Sequence, residues 1–416
     1  MLRAFSAALL LPLFLMADPL YEIDLTVARE GFDGKMCWVH ARAGALPSEQ
    51  GKEPLVVMTL QKLDISGSDI FYALNEMRTV DGGLTWTAPE ELESFSRVPF
   101  TWRDESDLEI TVCDFWPRWH PRSNTLIGIG HTVVYQDNLV KPVRPRGIAY
   151  AIYNPNQGNW SDWRTVELPD ESRFENAGAG CAQRYDFPNG DLLVPFYFKE
   201  PEGNQYSTTV MRARFENGEI RYLEHGSELT VPVKRGLYEP SITKFADRFF
   251  LTMRNDDHGY VAVSHDGLTF STPKRWRFDD GTDLGNYNTQ QHWVVHSEAI
   301  FLAYTRRGAN NDHITRHRAP LFIAQIDPET LQVIRSSEQV LVPEYGARLG
   351  NFGVTKISES ETWVTVTEWM QSSSKKARTR DRVDRDSVRL RDRGANNRVW
   401  VAKIKWNQPN SSRFIE

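Results

Sequence analysis

Glu239 and Arg254 are the side chains of this 416-residue chain whose placement most directly suggests chemistry. Glu239 opens the run Tyr238-Glu239-Pro240-Ser241, and Arg254 ends the apolar run Arg248-Phe249-Phe250-Leu251-Thr252-Met253. Consecutive strands of this kind carry a carboxylate and a guanidinium toward a common centre. A guanidinium binds a carboxylate in planar, two-pronged fashion and stays charged, so the pair suits recognition of an acidic ligand. A second set is rich in histidine: His40, His120, His131, His292, His313 and His317 fall near strand starts or loops. Imidazole can act as acid or base near neutral pH, and His131, directly after Gly130, is the candidate of that set. No His-Glu-x-x-His spacing and no cysteine knuckle occurs, so neither a metal site nor a cofactor is expected.

The elements that must position these groups are strands. Apolar runs of five to eight residues recur between Gly, Pro, Asn and Asp, and helical periodicity is nearly absent. With 13 Trp, 14 Tyr and 21 Phe the chain is rich in residues that favour strands and stack on sugars. Grouped in order, the strands make about six four-stranded units, the signature of an all-β, six-bladed β-propeller over residues 25–410. One segment breaks the pattern: residues 372–395 hold nine Lys or Arg and four Asp and read as a solvated insertion in the last unit. Residues 1–17 read as an export signal, with Arg3 before an apolar core and Ala17 at its end. That core is too short to span a bilayer, so the expected protein is exported and has no membrane span. The net charge of −6 gives no reason to expect a nucleic-acid partner. Cys37, Cys113 and Cys181 are widely spaced and read as buried free thiols.

Two hairpins share a pattern: Thr79-Val80-Asp81-Gly82-Gly83-Leu84-Thr85-Trp86 and Ser264-His265-Asp266-Gly267-Leu268-Thr269-Phe270. Glycine supplies the positive φ of the tip, and the Asp side chain can accept backbone N–H groups of the turn. Asn154–Trp160 is a degenerate third copy. The motif resembles the Asp-box of the sialidase superfamily, which implies the propeller fold and a structural role for Asp81 and Asp266. The resemblance also implies a site. Sialidases hold a substrate carboxylate with three arginines and use a Tyr nucleophile polarised by a Glu, with an Asp as acid/base. On that model Glu239 is the activating Glu, Arg254 and Arg318 are two of the arginines, and Arg42 is the first. Glu368 buttresses Arg42, and Asp69, in the loop Asp64–Asp69, is the acid/base. The sequence departs at the nucleophile: Gly350-Asn351-Phe352-Gly353 stands where the tyrosine belongs, and Phe352 has no hydroxyl. Tyr345, seven residues earlier, is the substitute candidate.

The resulting expectation is a secreted exo-glycosidase acting on an acidic oligosaccharide or polysaccharide. The histidine set also resembles, more generally, propeller enzymes that cleave uronate-containing polysaccharides, with His131 as the acting group. A glycan-binding propeller without turnover is the third reading, favoured by the missing tyrosine.

Overall fold

The computed structural model describes residues 20–48, 52–67, 69–170, 172–371 and 388–412. The proposed export signal, residues 1–17, and most of the charged insertion, residues 372–387, lie outside the described residues. The fold is an all-β propeller whose described strands fall into six antiparallel sheets. In each sheet the chain runs from the hub outward. Met36–Leu46 leads to Leu55–Asp64, Phe71–Thr79 and Glu90–Glu91; Tyr238–Phe245 leads to Arg248–Arg254, Tyr260–Ser264 and Lys274–Arg275. The last sheet is completed by the first described strand. Tyr21–Arg29 pairs with Val399–Trp406, Tyr21 opposite Trp406 and Thr26 opposite Val401, so the ring closes on backbone hydrogen bonds. The ordered unit therefore begins before residue 25, because Ile23, Leu25 and Val27 alternate with Glu22, Asp24 and Thr26 as a strand requires. No described helix is long and apolar enough to cross a membrane.

The core lies between neighbouring sheets. Trp363 of the last sheet packs with Ala41, Val56 and Met58 of the first, and Phe115 and Trp160 of the second stack edge-on at 5.2 Å. The three cysteines are buried free thiols, and burial pushes the Cys37 thiol up to about 12. At the two hairpins the Asp accepts from the turn. Asp81 takes the Leu84 and Thr85 amides at 3.0 Å, and Asp266 takes those of Leu268 at 2.8 Å and Thr269 at 2.6 Å. Gly83 and Gly267 sit at φ of 76° and 78°, where any side chain would be strained. Burial would raise the Asp266 carboxyl, but the turn's amides and hydroxyls bring it down to about 2. A depressed carboxyl adds stability that is complete above its unfolded value, near 4, and disappears as pH falls toward 2. Asp266→Ala is expected to cost about 1–2 kcal/mol at neutral pH, this site being solvent-screened, and to lose that deficit in acid. Urea titrations at pH 7 and pH 2.5 check both.

One backbone feature recurs around the hub. His40, Asp114, Cys181, Glu239, Asn288 and Asn351, one from the inner edge of each sheet, all have φ between 48° and 63°. Four of them, His40, Asp114, Glu239 and Asn351, coincide with a register shift in the strand pairing, where a bulge turns the side chain toward the axis. Left-handed non-glycine residues cost roughly 1–3 kcal/mol each and concentrate at functional sites, so six at one centre mark the axis as the place to look.

Candidate functional site

The ring of bulges makes two layers. The lower layer is a buried polar knot. Asp114 Oδ1 accepts from Arg42 Nη2 at 3.0 Å, Cys181 Sγ at 2.8 Å and Asn351 Nδ2 at 3.1 Å. Asn351 Nδ2 also meets His40 Nε2 at 2.9 Å, and Gln290 Nε2 reaches Asn351 Oδ1 at 3.1 Å and Cys181 Sγ at 2.8 Å. Burial raises the Asp114 carboxyl, yet His40 and Arg42 beside it reverse that and hold it far below the carboxylate range. Burial keeps His40 itself below its ordinary value, so at neutral pH Arg42 carries the effect.

The upper layer opens at the ends where the inner strands begin. Glu239 Oε2 meets Arg254 Nη1 at 2.5 Å, and Arg254 Nη2 donates to Asn288 Oδ1 at 2.8 Å. Arg318 Nε donates to the Asn288 carbonyl at 3.0 Å. Asn288, one of the six left-handed residues, thus ties both guanidinium groups to the same spot. Glu239, Arg254 and Arg318 stand together, Arg254 and Arg318 being almost wholly buried. Arg318 has no carboxylate partner among the described residues. Burial first, then the charges of Arg254, Arg316 and Arg348, disfavour its cation strongly. A guanidinium does not release its proton, so the cation stays and its burial costs stability. Gly350 lies over it: a Cβ there would sit 3.0 Å from Arg318 Nη1.

Asp69 is exposed in the loop between the second and third strands of the first sheet, and its charge is felt at His40 and Arg316. It therefore faces the rim of the same opening.

Four expected site residues are placed elsewhere. Arg42 is fully buried and points down to Asp114, because the bulge at His40 shifts the register between Val39 and Arg42. Glu368 does not buttress it. Its carboxylate accepts from the Asn396 and Arg398 amides, from Arg398 Nη1 and from Trp400 Nε1, tying the turn ahead of the last strand. Tyr345 is exposed and stacks on Trp400 at 5.6 Å, under Arg398. His131 is buried, with Nε2 3.2 Å from Cys113 Sγ, and burial together with Arg146 keeps it well below its usual value. Its neighbours are Cys113, Asp114, Arg146 and the ring of Tyr197 at 6.4 Å, and no contact joins it to Glu239, Arg254 or Arg318 among the described residues. Phe352 is buried edge-on to His292 at 4.8 Å. His120 and His292 are hydrogen-bonded interior residues, while His313 and His317 bond to Glu344 and Tyr287.

Cys113, Asp114 and His131 form the group among the described residues whose ligand atoms are close enough, within 4.8 Å, for a metal ion. Arg42 already occupies the Asp114 oxygen, and a resident cation would face its charge. A cavity lined by Trp116, Arg118, Gln183, Trp293 and Lys356 opens at the opposite ends of the inner strands and contains none of the groups around Glu239.

The sequence reading missed Arg316 and Arg348, whose charges act on Arg318, and three tyrosines. Tyr197, Tyr206 and Tyr238 pack against one another with ring centroids 5.5–6.2 Å apart. Arg254 lies over Tyr238 at 4.8 Å, and Arg146 lies over Tyr197 at 5.1 Å. The Tyr238 hydroxyl is taken by Asp256, whereas that of Tyr197 has no hydrogen bond among the described residues; burial raises its phenol well above the ordinary value, Arg146 opposing and Glu239 adding to the shift. The one signal in the sequence was density: Arg316 and Arg318, and Arg144 and Arg146, each stand two apart just ahead of a strand.

The fold is an all-β propeller of the kind that sialidases also have. No family model matches the chain, and no curated protein matches it by sequence. Among solved structures it is similar to a protein of unknown function from Dyadobacter fermentans DSM 18053, with a TM-score of 0.59 and 14% identity over 94% of this chain and 100% of that one. It is also similar to the Hadza microbial sialidase Hz136, with a TM-score of 0.55 and 12% identity over 80% of this chain and 63% of that one. Against Trypanosoma rangeli sialidase the TM-score is 0.54 at 12% identity, over 88% of this chain and 55% of that one. The chain thus spans less than two thirds of both sialidases, and the likeness is one of fold.

Proposed function

We propose that this protein is a glycosidase of the sialidase type that removes an acidic sugar, with each of the six sheets serving as one propeller blade. The observation that carries the reading is the convergence of Arg254 and Arg318 on Asn288, with Glu239 paired to Arg254. Two guanidinium groups from different sheets, one of them with no carboxylate partner among the described residues, leave a place for a ligand carboxylate. Glu239 is the charged partner of the reacting centre, Asp69 on the rim supplies acid/base catalysis to the leaving group, and Tyr197 supplies the hydroxyl that Phe352 lacks. A mixed pair of phenol and carboxylate follows the exceptional sialidase scheme rather than the two-carboxylate one. The expected export of the chain, read from residues 1–17, accords with this proposal, since acidic glycans are displayed outside the cytoplasm.

The test is release of the fluorophore from an aryl sialoside, followed as kcat and KM. Turnover dependent on Glu239 and Arg318 supports the reading, and ligand retention without turnover replaces it with a binding propeller. An unsaturated, ultraviolet-absorbing product from a uronate polymer replaces it with a lyase.

Arg318→Met gives an independent check. Removing a buried, unpaired cation is expected to raise stability by about 1–3 kcal/mol. Losing its hydrogen bonds to a carboxylate is expected to raise KM roughly 10–100-fold. Thermal melts and steady-state kinetics on one preparation read both. A residue kept only for the fold would move stability the other way.

A further inference from the structure

Arg146 is buried, 9% exposed, yet no carboxylate pairs with it among the described residues. Its Nε and Nη1 are sealed from solvent without any hydrogen bond. Its neighbour Arg144 spends Nη1 on the Lys141 carbonyl and also leaves Nε without a partner. Two guanidinium groups side by side repel each other, and the aromatic faces of Tyr197 and Tyr206, at 5.1 and 5.8 Å from Arg146, compensate only in part. Glu175, whose backbone carbonyl accepts the Arg146 amide at 2.9 Å, gives its carboxylate to Trp102 and Arg103 instead. The fold thus holds a concentrated positive charge that no carboxylate among the described residues neutralises.

Its position gives the charge a use. The tyrosine trio runs from Arg146 through Tyr197 and Tyr238 to Arg254, so the two arginine sets flank one continuous aromatic wall. Glu239 lies between them, its field reaching both Arg146 and Arg318. Aromatic walls stack sugar rings, and charged groups at either end select the substituents those rings carry. Lys199 and Arg235 add to the charge around Tyr206. Burial alone would raise its phenol, but Arg146, Arg144 and these two bring it below the ordinary tyrosine value, the mark of a field that seeks an anion.

We propose that Arg146 and Arg144, with the hydroxyl of Tyr206, form a second anion subsite that receives a sulfate ester or carboxylate on the sugar next to the one cleaved. This rests on the glycosidase reading for its first subsite and deepens it: the substrate is a glycan carrying two anionic groups on adjacent units.

Two measurements test it. In the first, kcat/KM is compared for a singly charged sialyl-lactoside and for a sialoside whose adjacent galactose bears a sulfate; a disialoside replaces the sulfate by a carboxylate and separates the two sources of charge. The expected wild-type preference for a doubly charged substrate is about tenfold or more, and Arg146→Met is expected to erase that ratio. Turnover of the singly charged substrate with no preference overturns the second subsite and leaves the glycosidase reading standing.

The second measurement needs no turnover. Inorganic sulfate is titrated into Arg318→Met, in which the first subsite is crippled, and into Arg318→Met/Arg146→Met, with melting temperature as readout. Sulfate stabilises proteins generally by exclusion from their surfaces, so only the difference between the variants counts. A sulfate-dependent rise that is lost with Arg146 supports the subsite, and equal rises overturn it. If Arg146→Met does not fold, Arg146→Lys keeps the charge and removes the two-pronged geometry, and the same ratio and the same melting difference are read from it. If no substrate is cleaved, the glycosidase reading fails and the sulfate comparison alone decides.

Discussion

Glu239→Gln is expected to lower turnover of an acidic glycoside about 10²–10³-fold while leaving the substrate bound as tightly as before, or more tightly. The two halves of that result have separate causes. Glutamine preserves the shape of the side chain and one hydrogen bond to Arg254, but it cannot hold the negative charge the reacting centre uses. The same charge opposes the arriving carboxylate and partly neutralises Arg254, so its loss frees that guanidinium for the ligand. Turnover and affinity therefore move apart, as they do when a group acts on the transition state more than on the ground state. Equal losses of turnover and affinity would indicate a distorted pocket, and unchanged turnover would remove Glu239 from the reaction. Stability is expected to fall as well, because Arg254, Arg316, Arg318 and Arg348 then face one another with one compensating charge fewer.

The second large effect concerns the knot beneath the site. Asp114→Asn is expected to destabilise the protein by about 3–5 kcal/mol, the cost of leaving Arg42 buried without its carboxylate. The amide also presents a donor among groups that already donate: Arg42, Cys181 and Asn351 all point hydrogens at one oxygen. Arg42→Met in the same chain is expected to restore part of the loss, since the unpaired cation disappears with its partner. Denaturant midpoints of the two single variants and the double variant close this cycle. The pH dependence has a definite sign. The folded carboxyl of Asp114 lies far below its unfolded value near 4, so its contribution is complete above pH 4. It is lost progressively as the solution is acidified below that point. Wild type should therefore lose stability in acid more steeply than Asp114→Asn, and parallel curves would show that Arg42 does not depend on this carboxylate.

The knot also explains how the site stays aligned. Residues from five of the six sheets meet in it, and Glu239 from the remaining sheet stands directly above. A propeller has no central element of its own, so the angular position of each sheet depends on neighbour packing and on such contacts at the axis. A shift of any sheet would move Asn288 relative to Glu239 and separate the two guanidinium groups that share it.

Much of the architecture was already decided by local composition. Short apolar runs punctuated by Gly, Asn and Asp can only make many antiparallel strands, and Asp81 and Asp266 can satisfy their hairpins without help from the rest of the chain. The approach of Arg254 to Glu239 was legible for the same reason, since the two strands are joined by one hairpin and pair with Tyr238 opposite Arg254. Direction at the axis was another matter. A bulge reverses the alternation of side chains, and its presence depends on what the neighbouring sheets can accommodate. Arg42, two residues beyond the bulge at His40, consequently lies in the knot rather than in the opening. Tyr345 and Glu368 went astray because aromatic stacking and turn hydrogen bonds come from Trp400 and Arg398, which lie tens of residues further on. The convergence of Arg146, Tyr197 and Tyr206 beside Glu239 joins three different sheets or their linking loops. Strand periodicity specifies which face a residue takes within its own sheet; only closure of the ring determines which faces meet.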